Sequence, residues 1–278
     1  MCVKLLRRGL MLAMSGLFMI GVARGQTVPP PDVHREAVDV AQYPWSAIGK
    51  LYNETGAACT AVIVGRDKVL TAAHCIFNYR TQRFIPAQSL HFLAGYNVGR
   101  YSAHARVASY TIGDGFDPQR YDQTSSADWA ILTLTELLPQ EIEPLRLDPN
   151  IAASGTKAMI AGYPEDRAFA MTADADCELR EAIDDGKLIF HTCRGIDGYS
   201  GAPILVNTAD NRIKIAGIQI ATLESGGTQK VLAVPARSIE QALLLDEEKN
   251  APNLIAGGPS TLYAINNMAG DIGAFAVG

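Results

Sequence analysis

The 278-residue chain lacks an excess of basic residues, a second long hydrophobic run and any closely spaced pair of cysteines. It has 24 Lys and Arg against 29 Asp and Glu, so its net charge is −5. Such a chain does not offer the basic surface that nucleic acids or anionic membranes require, and we expect neither as a partner. Without a Cys-x-x-Cys pair no zinc site is predicted, and we expect no metal and no cofactor. The acidic loops show no calcium-binding spacing, which leaves calcium dependence open.

The first 25 residues have the pattern of a secretory signal peptide. Three basic residues precede a short apolar core, Leu10–Val22, and the small residues Ala23 and Gly25 predict cleavage before Gln26. The core is too short for a comfortable membrane span, which needs about 20 residues, and an uncleaved anchor is the alternative. The segment carries four basic residues and no acid, so its removal leaves a net charge near −9. We expect a secreted or periplasmic protein, free of the membrane after signal removal.

The rest of the chain alternates short β-type runs with turns rich in Gly, Pro, Asp and Asn. Three consecutive prolines indicate a pro-segment or flexible arm over residues 26–40. The many short runs without helical patterns between them predict an all-β barrel or sandwich. The runs are 46–52, 57–64, 68–73, 90–95, 104–112, 129–134, 157–163, 176–183, 188–193, 203–206, 212–222 and 230–234. Apolar residues at helical spacing predict a C-terminal helix over 238–249, and 250–278 form a low-charge tail.

One stretch, Cys193–Pro203, sets a serine between two glycines and is followed by an apolar run. Gly198 and Gly201 let the backbone turn sharply and approach a substrate closely, since glycine has no Cβ. The pattern predicts Ser200 as a nucleophile, with the N–H groups of Gly198 and Ser200 forming an oxyanion hole. Taken alone, however, Gly-x-Ser-Gly is more often ordinary turn chemistry.

Two upstream stretches supply the partners that a serine nucleophile needs. Leu70–Cys75 ends a β-like run with His74, and Asp128–Leu132 begins another apolar run after a polar loop. The order of these groups along the chain is His…Asp…Ser, whereas α/β-hydrolases run Ser…Asp…His and subtilisins Asp…His…Ser. His74 would accept the Ser200 proton and later return it to the leaving amine. Asp128 would hold the imidazole in the required tautomer.

The chain resembles the trypsin/chymotrypsin-like serine proteases over about residues 40–245. Thr71–Cys75 (TAAHC) matches that family's histidine signature in full. Asp128–Leu132 (DWAIL) looks like its aspartate box, and Gly198–Pro203 (GYSGAP) is similar to its serine box. Because the three boxes occur in this order, the catalytic interpretation of the serine loop is favoured over ordinary turn chemistry.

The resemblance implies a domain over 41–249 that is built from two six-stranded antiparallel β-barrels, with the active site between them. The first barrel, about 41–138, would carry the histidine and the aspartate, and the second, about 150–236, the serine. It further implies a serine endopeptidase that hydrolyses a protein or peptide substrate through an acyl-enzyme, and we expect a monomer. The alternative is a catalytically silent trypsin-fold binding protein, in which the triad is present but the cleft is shut.

Departures from the family pattern narrow the resemblance. Tyr199 stands where the animal enzymes have the aspartate that receives a new N-terminal amine on activation, so a zymogen switch could not work here in the same way. Together with Ala161–Pro164 and the position of Cys193, this makes the chain similar to the bacterial V8-like (glutamyl endopeptidase-type) branch. Glutamyl members of that branch have a histidine where this chain has Gln219, so glutamate preference does not carry over securely.

Three residues are candidates for the substrate pocket. Gln219 and Ile220 belong to the strand that supplies the histidine in the glutamyl enzymes. Arg194 lies six residues before Ser200, about where the family's primary pocket has its floor. Pointing inward, Arg194 would favour an acidic side chain through a charge-assisted pair. Pointing outward, or paired with Asp197, it would have no bearing on specificity.

The number and placement of the cysteines are typical of an exported protein. Cys2 leaves with the signal, and the four that remain allow three connectivities. Each sequential pair flanks two strand-like runs joined by a turn, which favours Cys59 with Cys75 and Cys177 with Cys193. As the corresponding bond does in the family, the first would fix the histidine loop, and the second would tie the loop that presents the serine. Each bond is worth about 3 kcal/mol on the chain-entropy model.

The remaining histidines and loop acids are assigned ordinary roles. Three histidines in strand-like runs without a flanking signature are interpreted as sheet residues: His91, His104 and His191. Three aspartates in a loop rich in Gly, Pro and Tyr are interpreted as turn formers: Asp114, Asp117 and Asp122.

Overall fold

The structure, a computed structural model, describes residues 35–250 except 55, 151–152 and 226–227. The predicted signal peptide, residues 26–34 of the expected arm and residues 251–278 of the tail lie outside this description. Within it, no helix has the length and apolar character needed to cross a membrane.

A strand forms at every predicted β-run, and the predicted C-terminal helix forms over Arg237–Asn250. The described strands are β1 (Arg35–Ala37), β2 (Ile48–Asn53), β3 (Ala58–Ile63), β4 (Lys68–Thr71), β5 (Phe77–Asn78), β6 (Arg83–Phe84), β7 (Leu90–Ala94), β8 (Ala103–Ile112), β9 (Ala130–Leu134), β10 (Arg146–Leu147), β11 (Lys157–Gly162), β12 (Thr172–Ile183), β13 (Leu188–His191), β14 (Pro203–Asn207), β15 (Ile213–Ser225) and β16 (Thr228–Pro235). The described α-helices are α1 (Tyr121–Thr124) and α2 (Arg237–Asn250).

The first barrel closes in the order β2, β3, β4, β9, β8 and β7, with every neighbouring pair antiparallel. Alternate side chains point inward, and the interior is filled by buried aliphatic residues and by Phe92, which has no exposed surface. A Cβ on Gly49 of β2 would lie 2.4 Å from the Phe92 ring. A glycine at this position therefore leaves the space that the aromatic ring occupies.

The second barrel runs β12, β11, β14, β15, β16 and β13, and the antiparallel pairing of β13 with β12 closes it. Two short strands attach to this ring. β1 pairs antiparallel with the start of β12, and β10 pairs parallel with β15. Residues 35–37 of the expected arm are thus part of the sheet. The predicted fold, two six-stranded antiparallel barrels with a C-terminal helix, is confirmed.

Both predicted disulfides are present. The bond Cys59–Cys75 joins β3 to the turn that carries the histidine, with the Cα atoms 6.0 Å apart. The bond Cys177–Cys193 joins β12 to the loop that leads to the serine, with the Cα atoms 4.7 Å apart. Disulfides persist in oxidising compartments, so these two bonds indicate a protein that folds outside the reducing cytosol.

Candidate active site

His74 and Asp128 meet at one end of the first barrel. After β4 the chain makes a 3₁₀ turn over Ala73–Ile76, and this turn is fixed by the Cys75 disulfide. His74 Nδ1 lies 2.7 Å from Asp128 Oδ2, and the His74 backbone N–H donates to Asp128 Oδ1 over 2.9 Å. The Asp128 side chain is fully buried. These two contacts fix the imidazole and leave Nε2 as the ring nitrogen that the carboxylate does not engage.

The charge of Asp128 also sets the basicity of His74. Burial alone would lower the pKa of the imidazole, but the negative charge of Asp128 and the hydrogen bond to it raise the pKa above its ordinary 6.5. An imidazolium formed here is therefore stabilised by its partner, which is what a general base needs when it takes up a proton.

Tyr121, which the sequence did not single out, is a third member of this cluster. Its hydroxyl donates to Asp128 Oδ2 over 2.8 Å and lies 3.2 Å from the carbonyl oxygen of Ile220. The ring packs edge-on against His74, with centroids 6.3 Å apart. Burial, and next the charge of Asp128, raise the pKa of the Tyr121 phenol, so it remains a donor. In the sequence, the feature that could have identified Tyr121 is its position seven residues before Asp128.

Ser200 lies in the loop between β13 and β14. Gly198 and Gly201 on either side have φ of +93° and +77°, a left-handed region that favours glycine. A Cβ on Gly198 would lie 2.2 Å from the carbonyl oxygen of Tyr163, and one on Gly201 would lie 2.2 Å from Thr71 Oγ1. The loop thus turns and packs in a way that side chains at these two positions would prevent.

Backbone N–H groups in this loop fall into two sets. Those of Tyr199, Gly201 and Ala202 each donate to a backbone carbonyl at 2.8–3.0 Å. Among the described residues, no protein acceptor is found for the N–H groups of Gly198 and Ser200, the pair predicted as the oxyanion hole.

Thr60 of β3 fastens the serine loop to the first barrel. Its hydroxyl donates to the Gly198 carbonyl oxygen over 2.8 Å, and its backbone N–H donates to the Ser200 carbonyl oxygen over 3.0 Å. The same hydroxyl oxygen accepts the Tyr163 N–H at 3.0 Å. The carbonyls on both sides of Tyr199 are therefore held by one residue.

His74 and Ser200 line one cleft of about 280 Å³, together with Gln219 and Ile220. Two of the three pocket candidates are thus brought to the cleft. Arg194 lines a separate groove of about 580 Å³. Gln219 is buried, and within the described residues its Oε1 has no hydrogen-bond partner.

The other histidines lie away from this cleft. His91 and His104 stack and share a 2.9 Å contact between Nδ1 and Nε2. His191 is buried in β13, and burial lowers its pKa to about 3. In the loop before α1, the Asp117 side chain accepts the Gln119 N–H at 2.9 Å, which is the geometry of a turn former.

One group of potential metal ligands comes together in the described part of the chain: Cys59, His74 and Cys75. The two sulfur atoms of this group are bonded to each other. The cluster therefore offers no thiolate to a metal ion.

Comparisons with known proteins agree with the fold. The family model described as Trypsin matches residues 33–185, a segment that includes His74 and Asp128. No curated protein matches the chain significantly. A solved structure of a Glu endopeptidase in complex with MPD is similar over 79% of this chain and 98% of its own, with a TM-score of 0.65 and 17% sequence identity. At this identity the likeness is one of fold.

Proposed function

Since the chain belongs to the trypsin family of serine proteases, we propose that it is a secreted serine endopeptidase that hydrolyses peptide bonds through an acyl-enzyme on Ser200. The observation that carries the proposal is the convergence of distant residues on one cleft. The imidazole of His74, oriented by Asp128, and Ser200 from the other barrel line the same cavity. The two disulfides and the N-terminal signal pattern support export.

In this mechanism His74 Nε2 takes the Ser200 hydroxyl proton as the serine oxygen attacks the scissile carbonyl carbon. Asp128 stabilises the resulting imidazolium and keeps the proton on Nδ1. The imidazolium then gives its proton to the leaving amine as the carbon–nitrogen bond breaks and the acyl-enzyme forms. A water molecule then attacks the acyl carbon while the neutral imidazole takes its proton. As the ester bond to Ser200 breaks, the imidazolium gives this proton to the serine oxygen, and the acid product leaves.

The N–H groups of Gly198 and Ser200 are the proposed donors to the oxyanion. Support comes from the absence of a protein acceptor for either group in the described residues, whereas the neighbouring N–H groups are satisfied. Donors held in place before the reaction stabilise developing charge without reorganisation, and loss of one such donor typically costs about 10²–10³ in rate.

We further propose that the enzyme has no preference for an acidic side chain at the residue whose carbonyl is attacked. The residues described as lining the cleft include the neutral Gln219, Ile220 and Thr222 and the acidic Asp197, and neither lysine nor arginine. The position of Arg194 on the separate groove gives no support to an acidic preference. A peptide library varied at this position tests the proposal, and faster cleavage after Glu or Asp than after neutral residues would reject it.

The decisive experiment is active-site labelling of the secreted protein, whose N-terminus should first be sequenced. A sulfonyl fluoride reagent should inactivate casein hydrolysis and attach to Ser200. Ser200→Ala should abolish both turnover and labelling, while Ser109→Ala, at an exposed serine of β8, should change neither. Activity that persists in Ser200→Ala would refute the assignment. A wild-type protein that neither turns over nor labels would favour the silent binding protein.

A further inference from the structure

Arg35, on the N-terminal strand β1, is a buried cation. Its side chain is 3% exposed, and its guanidinium donates to both carboxylate oxygens of Asp166, at 2.9 and 2.5 Å. A buried charge is costly unless it is paired and hydrogen-bonded, and the planar guanidinium is suited to this two-point contact. Strand β1 therefore attaches to the second barrel through more than its three backbone-paired positions.

The partner of Arg35 belongs to a turn that contacts the serine loop, defined here as residues 194–200. The turn Glu165–Arg167 carries Asp166, and its Glu165 N–H donates to the Asp197 carbonyl oxygen over 2.7 Å. A Cβ on Gly198 would lie 2.9 Å from Glu165 N, so the turn lies directly against the loop. Fixing Asp166 thus bears on the backbone that precedes Ser200.

A second connection runs through Tyr199, the fully buried neighbour of Ser200. The Tyr199 hydroxyl lies 2.8 Å from Thr172 Oγ1. Thr172 is paired with Ala37 of β1, so the same short strand supports the residue that bonds the Tyr199 hydroxyl.

The other end of the serine loop is held by the same part of β12. The Arg194 N–H donates to Asp174 Oδ2 over 3.1 Å, and Asp174 lies opposite Arg35 in the β1–β12 register. The residues of β12 that fasten the two ends of the loop are therefore those that β1 covers.

We propose that β1, through Arg35, holds the serine loop in its catalytic conformation, and that Arg35 is a positioning residue for the reaction proposed above. The inference rests on that proposed function. Arg35 touches no reacting atom; it fixes the turn at Asp166, which lies against the backbone of Gly198. Strand β1, which precedes the first barrel in the sequence, then supports the active-site loop of the second barrel.

The test replaces the guanidinium by an apolar side chain that keeps the unbranched stem of the arginine. Arg35→Met should lower kcat/KM by about 10²-fold, since a displacement of about 1 Å at reacting groups has that cost. The loss should be in kcat, with KM little changed, and the affinity for a peptide boronic acid, which mimics the tetrahedral intermediate, should fall in parallel. The kcat/KM of Arg35→Lys should lie between those of Arg35→Met and the wild type, because lysine keeps the charge and loses the two-point contact. Glu36→Gln, at an exposed position of the same strand, is the matched control and should behave as wild type.

Hydrogen exchange separates the failure of this inference from the failure of the proposed function. Amides of residues 194–200 should exchange faster in Arg35→Met than in Glu36→Gln, and this readout does not depend on activity. If the wild type neither turns over nor labels, the proposed function fails. If the wild type is active and Arg35→Met keeps wild-type kcat, boronic acid affinity and loop protection, the inference is overturned. Should Arg35→Met not fold, Asp166→Asn breaks the same pair from its half-exposed side and is read by the same measures.

Discussion

Tyr121→Phe removes one hydroxyl from the cluster around Asp128 and leaves the ring that packs against His74. The lost bond, 2.8 Å long, is made to a fully buried carboxylate. Hydrogen bonds to charged groups contribute about 1.5–3 kcal/mol. If Asp128 must be held in place for the imidazole to act, most of that free energy should appear in the activation barrier. At 1.36 kcal/mol for each tenfold change in rate, we expect kcat to fall by about 10–150-fold.

The assay should separate reactivity from folding. Burst titration with a chromogenic ester counts the active sites that acylate, and single-turnover acylation gives the chemical rate for those sites. KM should change little, because the hydroxyl bonds Asp128 and the Ile220 carbonyl oxygen and is not needed to bind the substrate. Tyr79→Phe is the matched control, since Tyr79 lines the same cleft and its side chain is largely exposed.

A value of kcat within about twofold of wild type in Tyr121→Phe would refute the reasoning. It would mean that the two contacts with His74 suffice to orient Asp128. A fall in the number of titratable sites with an unchanged acylation rate would count against it as well, because it would assign the hydroxyl to folding and not to positioning.

Three further outcomes follow from the structure. The value of kcat/KM should rise with pH through the raised pKa of His74, above 6.5, since only the neutral imidazole takes the serine proton. In Asp128→Asn the rise of kcat/KM should occur at lower pH, because burial of the imidazole then dominates its pKa. The same substitution should reduce the rate by about 10⁴-fold. The unfolded chain binds a proton at His191 below about pH 6.5, whereas the folded protein binds it only near pH 3. The free energy of unfolding should therefore fall as the pH decreases, by up to about 1.4 kcal/mol per pH unit. Urea melts at pH 4–7 should show a flatter slope for His191→Leu, and an unchanged slope would contradict this assignment to His191. Replacing Cys177 and Cys193 together by Ser should lower the free energy of unfolding by about 3 kcal/mol in guanidinium melts, a prediction that a loss below about 1 kcal/mol would contradict.

The sequence by itself determined the class of fold and the residues worth testing. Strand-type runs and turns predicted an all-β barrel or sandwich, because alternation and turn chemistry are local properties of the chain, and the resemblance to the trypsin-like proteases implied two barrels. The TAAHC and DWAIL boxes singled out His74 and Asp128, and the structure places their side chains 2.7 Å apart. The disulfide pairs followed from neighbouring strand-like runs, which also depend on short sequence separations.

Only the tertiary structure decided which distant side chains meet. Tyr121 lies in a loop in which only the aspartates were assigned a role from the sequence. Its hydrogen bonds to Asp128 and Ile220 require two elements from different barrels to pack together. Arg194 had two orientations open to it, and the structure places it on the separate groove. Arg35 lay in a segment expected to be an arm, yet it pairs with Asp166, 131 positions away. A contact of that kind leaves no periodic or local trace, because its energy comes from burial and charge pairing that exist only once both barrels have closed.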